Sequence, residues 1–212
     1  MSIFHEHRSL FLLISILTFL FISPLMRLSE SYMMWMGIGW TLLIGFSGYW
    51  MTERHRWMWV MAAFVAIAAV AYLADVMVVE HLAIARIHLL VLAITLRHAL
   101  FNDDNSPLDC VIAGVCGYFL IALLFGNIYH IALDIDPKAI DGLSSTKGID
   151  SSSVIYYSIV TLTTQGYGDI VPINPFTRIC AAVQGALGTI YLAVLVASLV
   201  TELRRGIRKH RH

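Results

Sequence analysis

The sequence predicts an all-α membrane protein: six transmembrane helices and, between the last two, one short re-entrant helix that runs into a loop. Three observations lead there. The 212-residue chain is 58% hydrophobic and only 13% charged, with mean hydropathy +0.76, whereas soluble domains run at about 45–50% apolar and about 25% charged. Several apolar runs reach the ~20 residues that cross the hydrocarbon. One further apolar run, Val154–Thr164, is too brief to cross and ends in a glycine-bearing stretch.

The elements follow in order. The first span, Ser9–Met26, comes after the polar start "HEHR". It is long for a signal-peptide core and no A-x-A-like site follows it, so it reads as a retained span. Tyr32–Met51, Trp57–Val79 and Leu82–Phe101 follow. The polar segment "NDDNSP", Asn102 to Pro107, then separates four spans from the last two, Leu108–Leu133 and Pro175–Leu203. The chain thus divides into a four-span domain (1–104), a two-span domain (105–203) and a basic tail (204–212).

Charge sets the orientation. With both termini in the cytoplasm, the inner side carries Arg8, Arg54, Arg56, Arg97, Arg204, Arg205, Arg208, Lys209 and Arg211, and the outer side only Arg27, Lys138, Lys147 and Arg178. The expectation is a multi-pass protein of the plasma membrane, N- and C-termini inside. The outer segment holds Asp134, Asp136, Asp141 and Asp150, which read as a solvated loop more than as a cation-gathering mouth. Trp35, Trp40, Trp50, Trp57 and Trp59 fall near span ends, as an interfacial belt has them.

Composition also excludes. The net charge is zero, so no global field recruits nucleic acid. Cys110, Cys116 and Cys180 lie in apolar segments and suggest neither a zinc site nor a disulfide framework. No nucleophile or carboxylate constellation suggests an enzyme, and no cofactor is implied. The tail "RRGIRKHRH" can meet anionic lipid.

The chemistry lies in "TLTTQGYGDIVP", Thr161 to Pro172. A potassium ion crossing a membrane exchanges its hydration shell for rings of backbone carbonyls, one loop from each of four subunits. Carbonyls that face one axis need a backbone alternating in hand, and glycine tolerates φ > 0 without a Cβ penalty. Gly166 and Gly168 alternate in that way, and Thr164 offers a carbonyl and a hydroxyl. The re-entrant helix Val154–Thr164 aims the negative end of its dipole at the membrane centre, where it favours a cation. One loop per chain implies a homotetrameric pore.

"YYSIVTLTTQGYGDIVP", Tyr156 to Pro172, closely resembles the pore signature of the potassium channel superfamily, with Thr164, Gly166, Tyr167, Gly168 and Asp169 matching T-x-G-Y-G-D. The two-span unit carrying it covers nearly half of the chain, and four preceding spans match the six-span branch. The resemblance implies passive, potassium-selective conduction. It implies K+ ligands from Thr164, Gln165, Gly166 and Tyr167, with Gly168 completing the filter. It implies support from Asp169, bonded to Tyr156 or Tyr157, and from Thr161 and Thr163. A glycine hinge is implied at Gly188, with Gly185 as a second candidate, and an inner pore lined by Leu192, Val196 and Val200.

Gln165 departs from the usual apolar residue. Its carbonyl serves the ion, while its side chain points behind the filter toward Thr161, Tyr157 or Ser158, of the same or a neighbouring subunit. Either it tunes filter rigidity there or it meets ordered water. Voltage sensing is expected to be weak, because the fourth span carries only Arg86 and Arg97. Arg86 is expected to pair with Asp75 or Glu80. The alternatives to a potassium channel are a weakly selective cation channel and, from another class, a non-conducting scaffold or a haem protein using His88, His98 or His130.

Overall fold

The computed structural model describes residues 8–22, 24, 39, 43–44, 46, 55–74, 77–101, 107–143 and 151–209. They form helices α1 (Arg8–Ile22), α2 (His55–Leu73), α3 (Met77–Phe101), α4 (Pro107–Ile135), α5 (Ser151–Leu162) and α6 (Pro175–Lys209). A pair of two-residue strands joins them, β1 (Ile140–Asp141) and β2 (Val171–Pro172). Among the described residues three helices are long and apolar enough to cross a membrane: Val78–Ala99, Leu108–Ile135 and Pro175–Ser198.

The expected spans map onto these helices unevenly. The first corresponds to α1. Most of the second lies outside the described residues; Gly39, Leu43, Ile44 and Phe46 are described and helical. The third and fourth divide elsewhere than expected: α2 stops at Leu73 and α3 starts at Met77. Apart from Asp75 the junction is apolar, and Glu80 falls in the first turn of α3, where a helix N-terminus favours a carboxylate. The boundary at Asn102–Ser106 lies outside the described residues. After it, α4 opens on Pro107, whose fixed φ suits a first helical position.

α4 is the helix on which the others assemble. It packs against α1, α3, α5 and α6, with its most extensive contact to α3 of the same chain. The core follows its length: Ala113, Cys116, Leu120 and Tyr129 are all fully buried. Small residues let α6 approach closely, as in membrane helix packing generally. A Cβ at Gly117 would fall on the Tyr191 hydroxyl, and that hydroxyl donates to the Gly114 carbonyl at 2.7 Å. The outcome is asymmetric: 56% of the apolar stretch of α4 is buried, but only 11% of that of α6.

Both ends of the α3–α4 pair are tied by polar contacts. At the α4 N-terminus, Asp109 Oδ2 accepts from His98 Nε2 at 2.7 Å and Oδ1 accepts from the Ser9 N–H at 3.2 Å. One buried carboxylate therefore satisfies a first-turn N–H of α1, which has no intrahelical partner, and holds the end of α3. At the other end, His81 Nδ1 donates to Asp134 Oδ2 at 2.8 Å, and its ring stacks on His130 with centroids 4.7 Å apart. Asp134 is therefore a structural acid and not part of a solvated loop. Arg86 is exposed. Among the described residues the ion pairs are His81–Asp134 and His98–Asp109, so Glu80 does not pair with Arg86 as expected, and Asp75 lies outside the described residues.

Asp109→Ala strands the His98 and Ser9 donors in a buried site. Each costs about 1–3 kcal/mol when left unpaired, whereas Asp109→Asn keeps an acceptor. Thermal melting of the detergent-solubilised protein is expected to fall by several degrees for Asp109→Ala and by less for Asp109→Asn. Equal melting of Asp109→Ala and wild type would remove this tie from the account.

Candidate functional site

α5 is a 12-residue helix, shorter than the ~20 residues a span needs. Val154, Tyr157, Ser158 and Leu162 recur at the spacing of one helical face and are buried, against α4 and α6. The helix ends in a Schellman closure. The Gln165 N–H donates to the Val160 carbonyl at 3.1 Å and the Thr164 N–H to the Thr161 carbonyl at 3.0 Å. Thr163 Oγ1 donates to the Ile159 carbonyl at 2.8 Å. Tyr118 of α4 donates to the Leu162 carbonyl at 3.2 Å. The last carbonyls of α5 are thus satisfied from inside the protein.

Such a closure needs a left-handed residue, usually glycine. Here it is Thr164, at φ 57°. A β-branched residue in that region is an outlier costing on the order of 1–3 kcal/mol. Gly166 follows at φ 55° and Gly168 at φ 81°, while Gln165 and Tyr167 between them keep negative φ. The backbone therefore alternates in hand from Thr164 to Gly168. A Cβ built at Gly166 or Gly168 meets nothing within 4 Å. Within one chain these glycines are required by backbone conformation and not by crowding. All five residues are exposed.

The loop is held beyond its glycines as well. Tyr156 Oη donates to Asp169 Oδ2 at 2.8 Å, so of the two expected tyrosines it is Tyr156 that reaches the acid. The bond to the carboxylate raises the phenol's pKa above its ordinary value. Tyr156 also stacks on Tyr167, with centroids 6.5 Å apart and planes within 7°. Then β2 pairs antiparallel with β1, Ile140 opposite Pro172 and Asp141 opposite Val171. This pairing adds a strand element to a fold expected to be all-α. Gly142, at φ 84°, lies so close that a Cβ would strike the Asp169 carbonyl. The Ala139 carbonyl accepts from the Ile173 N–H at 2.9 Å and from Thr177 Oγ1 at 2.9 Å. Asn174 caps α6, its Oδ1 accepting from the Thr177 N–H at 2.8 Å. Asp136, expected to be solvated, accepts from Asn174 Nδ2 at 3.3 Å.

On the other flank stands α6. Gly185 and Gly188 face the end of α5, and α6 stays helical through both. A Cβ at Gly188 would land on the Leu162 carbonyl, while one at Gly185 would have no neighbour nearer than 3.6 Å. Gly188 is thus required for close approach, whether or not α6 bends there. Leu192, Val196 and Val200 are exposed in the single chain. The side chain of Gln165 is exposed, and Ser158, one of its expected partners, is already committed. It donates to the Ala122 carbonyl at 2.7 Å and accepts from Gln184 Nε2 at 2.7 Å. Sequence reasoning missed Gln184. The available signal was a lone amide inside an apolar span, which must find a partner.

A family model described as "Ion channel" matches residues 115–205, from within α4 through the loop into α6. Over 56 residues, 25% of this chain, the sequence is 41% identical to "Two-pore potassium channel 5" of Arabidopsis thaliana. Over 68 residues, 32% of this chain, it is 30% identical to "Potassium voltage-gated channel protein shk-1" of Caenorhabditis elegans. The chain spans only 14% and 13% of those proteins' lengths. No solved structure matches. The class these matches support is an ion channel, a membrane protein and not an enzyme; within that class, they support the potassium channel superfamily.

Gly188→Ala overpacks α6 against α5, a change that costs about 1–3 kcal/mol, whereas Gly185→Ala has room. The first is expected to lower the melting temperature of the purified protein clearly and the second hardly at all. Equal effects from the two substitutions would contradict the close approach at Leu162.

Proposed function

We propose that this chain is the subunit of a potassium-selective channel. Four copies surround one axis, each contributing the loop Thr164–Gly168, and K+ passes down its electrochemical gradient. The observation that carries the reading is the alternation of backbone hand at Thr164, Gly166 and Gly168, set at the end of a short helix that does not cross the membrane. Alternation lets successive carbonyls of Thr164, Gln165, Gly166 and Tyr167 share one axis, the geometry that replaces an ion's hydration shell. The resemblance of the motif and the match over residues 115–205 support the same reading.

The finer points follow. In this reading the chain has six spans with α5 re-entrant, both termini lie on one side of the plasma membrane, and the arginine bias favours the cytoplasmic side. The apolar face of α6, with Leu192, Val196 and Val200 exposed, is the surface that lines the inner pore. Asp169, Tyr156, Tyr157, Thr161 and Thr163 brace the loop. Steep voltage gating is not part of the proposal, because Arg86 and Arg97 are too few to move the charge it needs. The basic tail is suited to anionic lipid. As for a haem site, His98 Nε2 is taken by Asp109, while His88 donates Nδ1–H to the Ile84 carbonyl at 3.0 Å, which leaves Nε2 as the nitrogen a haem iron would take; a haem absorption band in the purified protein is the observation that would favour that reading.

The test is ion flux from proteoliposomes containing the purified assembly. Potassium flux that barium blocks, with little sodium flux, is expected. Comparable sodium flux would favour the weakly selective alternative, and no flux from well-folded tetramers would leave the scaffold. Gln165→Val keeps every backbone ligand, so it is expected to preserve potassium preference while changing open-state lifetime in single-channel recordings. An unchanged lifetime would assign the amide to ordered water.

A further inference from the structure

Gln184 of α6 is completely buried. Its Nε2 donates to Ser158 Oγ at 2.7 Å and to the Ser158 carbonyl at 3.0 Å. Its Oε1 accepts from Tyr129 Oη at 2.7 Å. Ser158 passes the connection on to the Ala122 carbonyl. Ser158 and Tyr129 are also completely buried. One amide therefore uses both donor hydrogens and an acceptor to tie α4, α5 and α6 together at a point from which water is excluded.

The tie is in register with the other contact between α5 and α6. Ser158 lies one turn before Leu162 on α5, and Gln184 lies one turn before Gly188 on α6. Residues four apart share a helical face. Ser158–Gln184 and Leu162–Gly188 are thus two rungs of one seam, with Gly185 between them, where an added Cβ would come within 3.6 Å of the Thr161 carbonyl and of Thr164 Cγ2. Two rungs fix both the height of α5 along α6 and its rotation about its own axis. Those two quantities decide where Thr164 and the alternating loop begin.

We infer that Gln184 is a positioning residue for the loop Thr164–Gly168: through Ser158 it sets the seat of α5, and so the geometry on which ion preference depends. The inference rests on the reading of that loop as a potassium filter. A hydrophobic residue of similar size would pack in the same place but would leave the α5 register to Gly188 alone.

Gln184→Glu separates positioning from packing, because it preserves shape and the acceptor for Tyr129. Ionised, it can donate nothing to Ser158; protonated, it regains one donor, and burial raises the pKa of a carboxyl. Wild type and variant, both as full-length assemblies of the same size by gel filtration, are compared in bilayers under potassium against sodium. Loss of a single hydrogen bond of ordinary strength bounds the expected drop in the potassium-to-sodium permeability ratio at about ten-fold. A drop is expected for Gln184→Glu only where the pH is high enough to ionise the buried carboxyl, above about pH 9, with recovery as the pH falls and the carboxyl gains its proton, while the wild-type ratio stays level. An unchanged ratio, or a drop that pH does not reverse, would overturn the inference. Should Gln184→Glu fail to assemble, Ser158→Ala is read in its place, and a wild-type ratio from it would overturn the inference too. A wild type that carries no selective potassium current refutes the filter reading itself; a selective wild type with indifferent variants refutes only the role of Gln184.

Discussion

The amide of Gln184 meets a constraint shared by the whole region around the loop Thr164–Gly168. A helix that enters a membrane without crossing it has an end, and the polar groups at that end find no water in the hydrocarbon. α5 has only 12 residues, so its closing carbonyls lie well inside the protein. Each is given a partner from its own turn or from a neighbouring helix. The Thr163 hydroxyl covers Ile159, the Tyr118 hydroxyl covers Leu162, and Gln184 reaches Ser158 further up. Remove these partners and the irregular backbone that follows α5 has no fixed starting point. The choice of residues is economical: hydroxyls and one amide, all uncharged, so no ion must be desolvated to hold the helix.

The far end of the loop is held by different chemistry. There Asp169 is exposed and its bond to Tyr156 is to a charged acceptor, the kind of hydrogen bond that is short and strong. The β1–β2 pair and the Ala139 carbonyl fix the chain just beyond. Neutral groups anchor the buried end and a carboxylate anchors the wet end, as desolvation cost dictates. Between the anchors Thr164 remains in a left-handed conformation that glycine would occupy at less cost. The strain is local, and it leaves a hydroxyl at the position where the alternation begins. A stability argument alone would choose glycine there; the proposed role as an ion ligand would choose threonine.

The sequence made legible whatever depends on chain-local pattern. T-x-G-Y-G-D fixes backbone hand through its glycines, so the loop and the short helix before it are visible without coordinates. α4 and α6 likewise follow from unbroken apolar runs, to within a few residues at most ends. Hydropathy could not divide α2 from α3, because between Ala74 and Val79 only Asp75 interrupts the apolar run, and one acid does not end a hydrophobic stretch; Glu80 then falls in the first turn of the new helix. Pairings across the fold were harder. Asp109 and His98 sit at span ends where each reads as an interfacial charge, and only packing of α1 onto α4 brings Ser9 to the same carboxylate. Asp134 and Asp136 looked like loop acids because nothing local shows His81 or Asn174 nearby. Gln184 was visible as an amide in an apolar span, but its partners lie 26 and 55 positions away.

One asymmetry links the fold to the proposed assembly. α4 buries more than half of its apolar stretch within the chain, while α6 buries about a tenth. Lipid would cover an apolar helix face at no cost, so the bare face of α6 does not by itself demand a partner. The loop is different. Non-helical backbone at membrane depth persists only where protein buries it or where it lines a water-filled cavity, and Thr164 to Gly168 are exposed in the single chain. One copy therefore cannot place this loop in a bilayer at acceptable cost. Copies related by an axis through the loop would cover its back and leave its front to ions and water, and the same axis would turn Leu192, Val196 and Val200 inward below it. In the proposed assembly the exposed polar loop and the exposed apolar helix, opposite in chemistry, would be satisfied by the same symmetry.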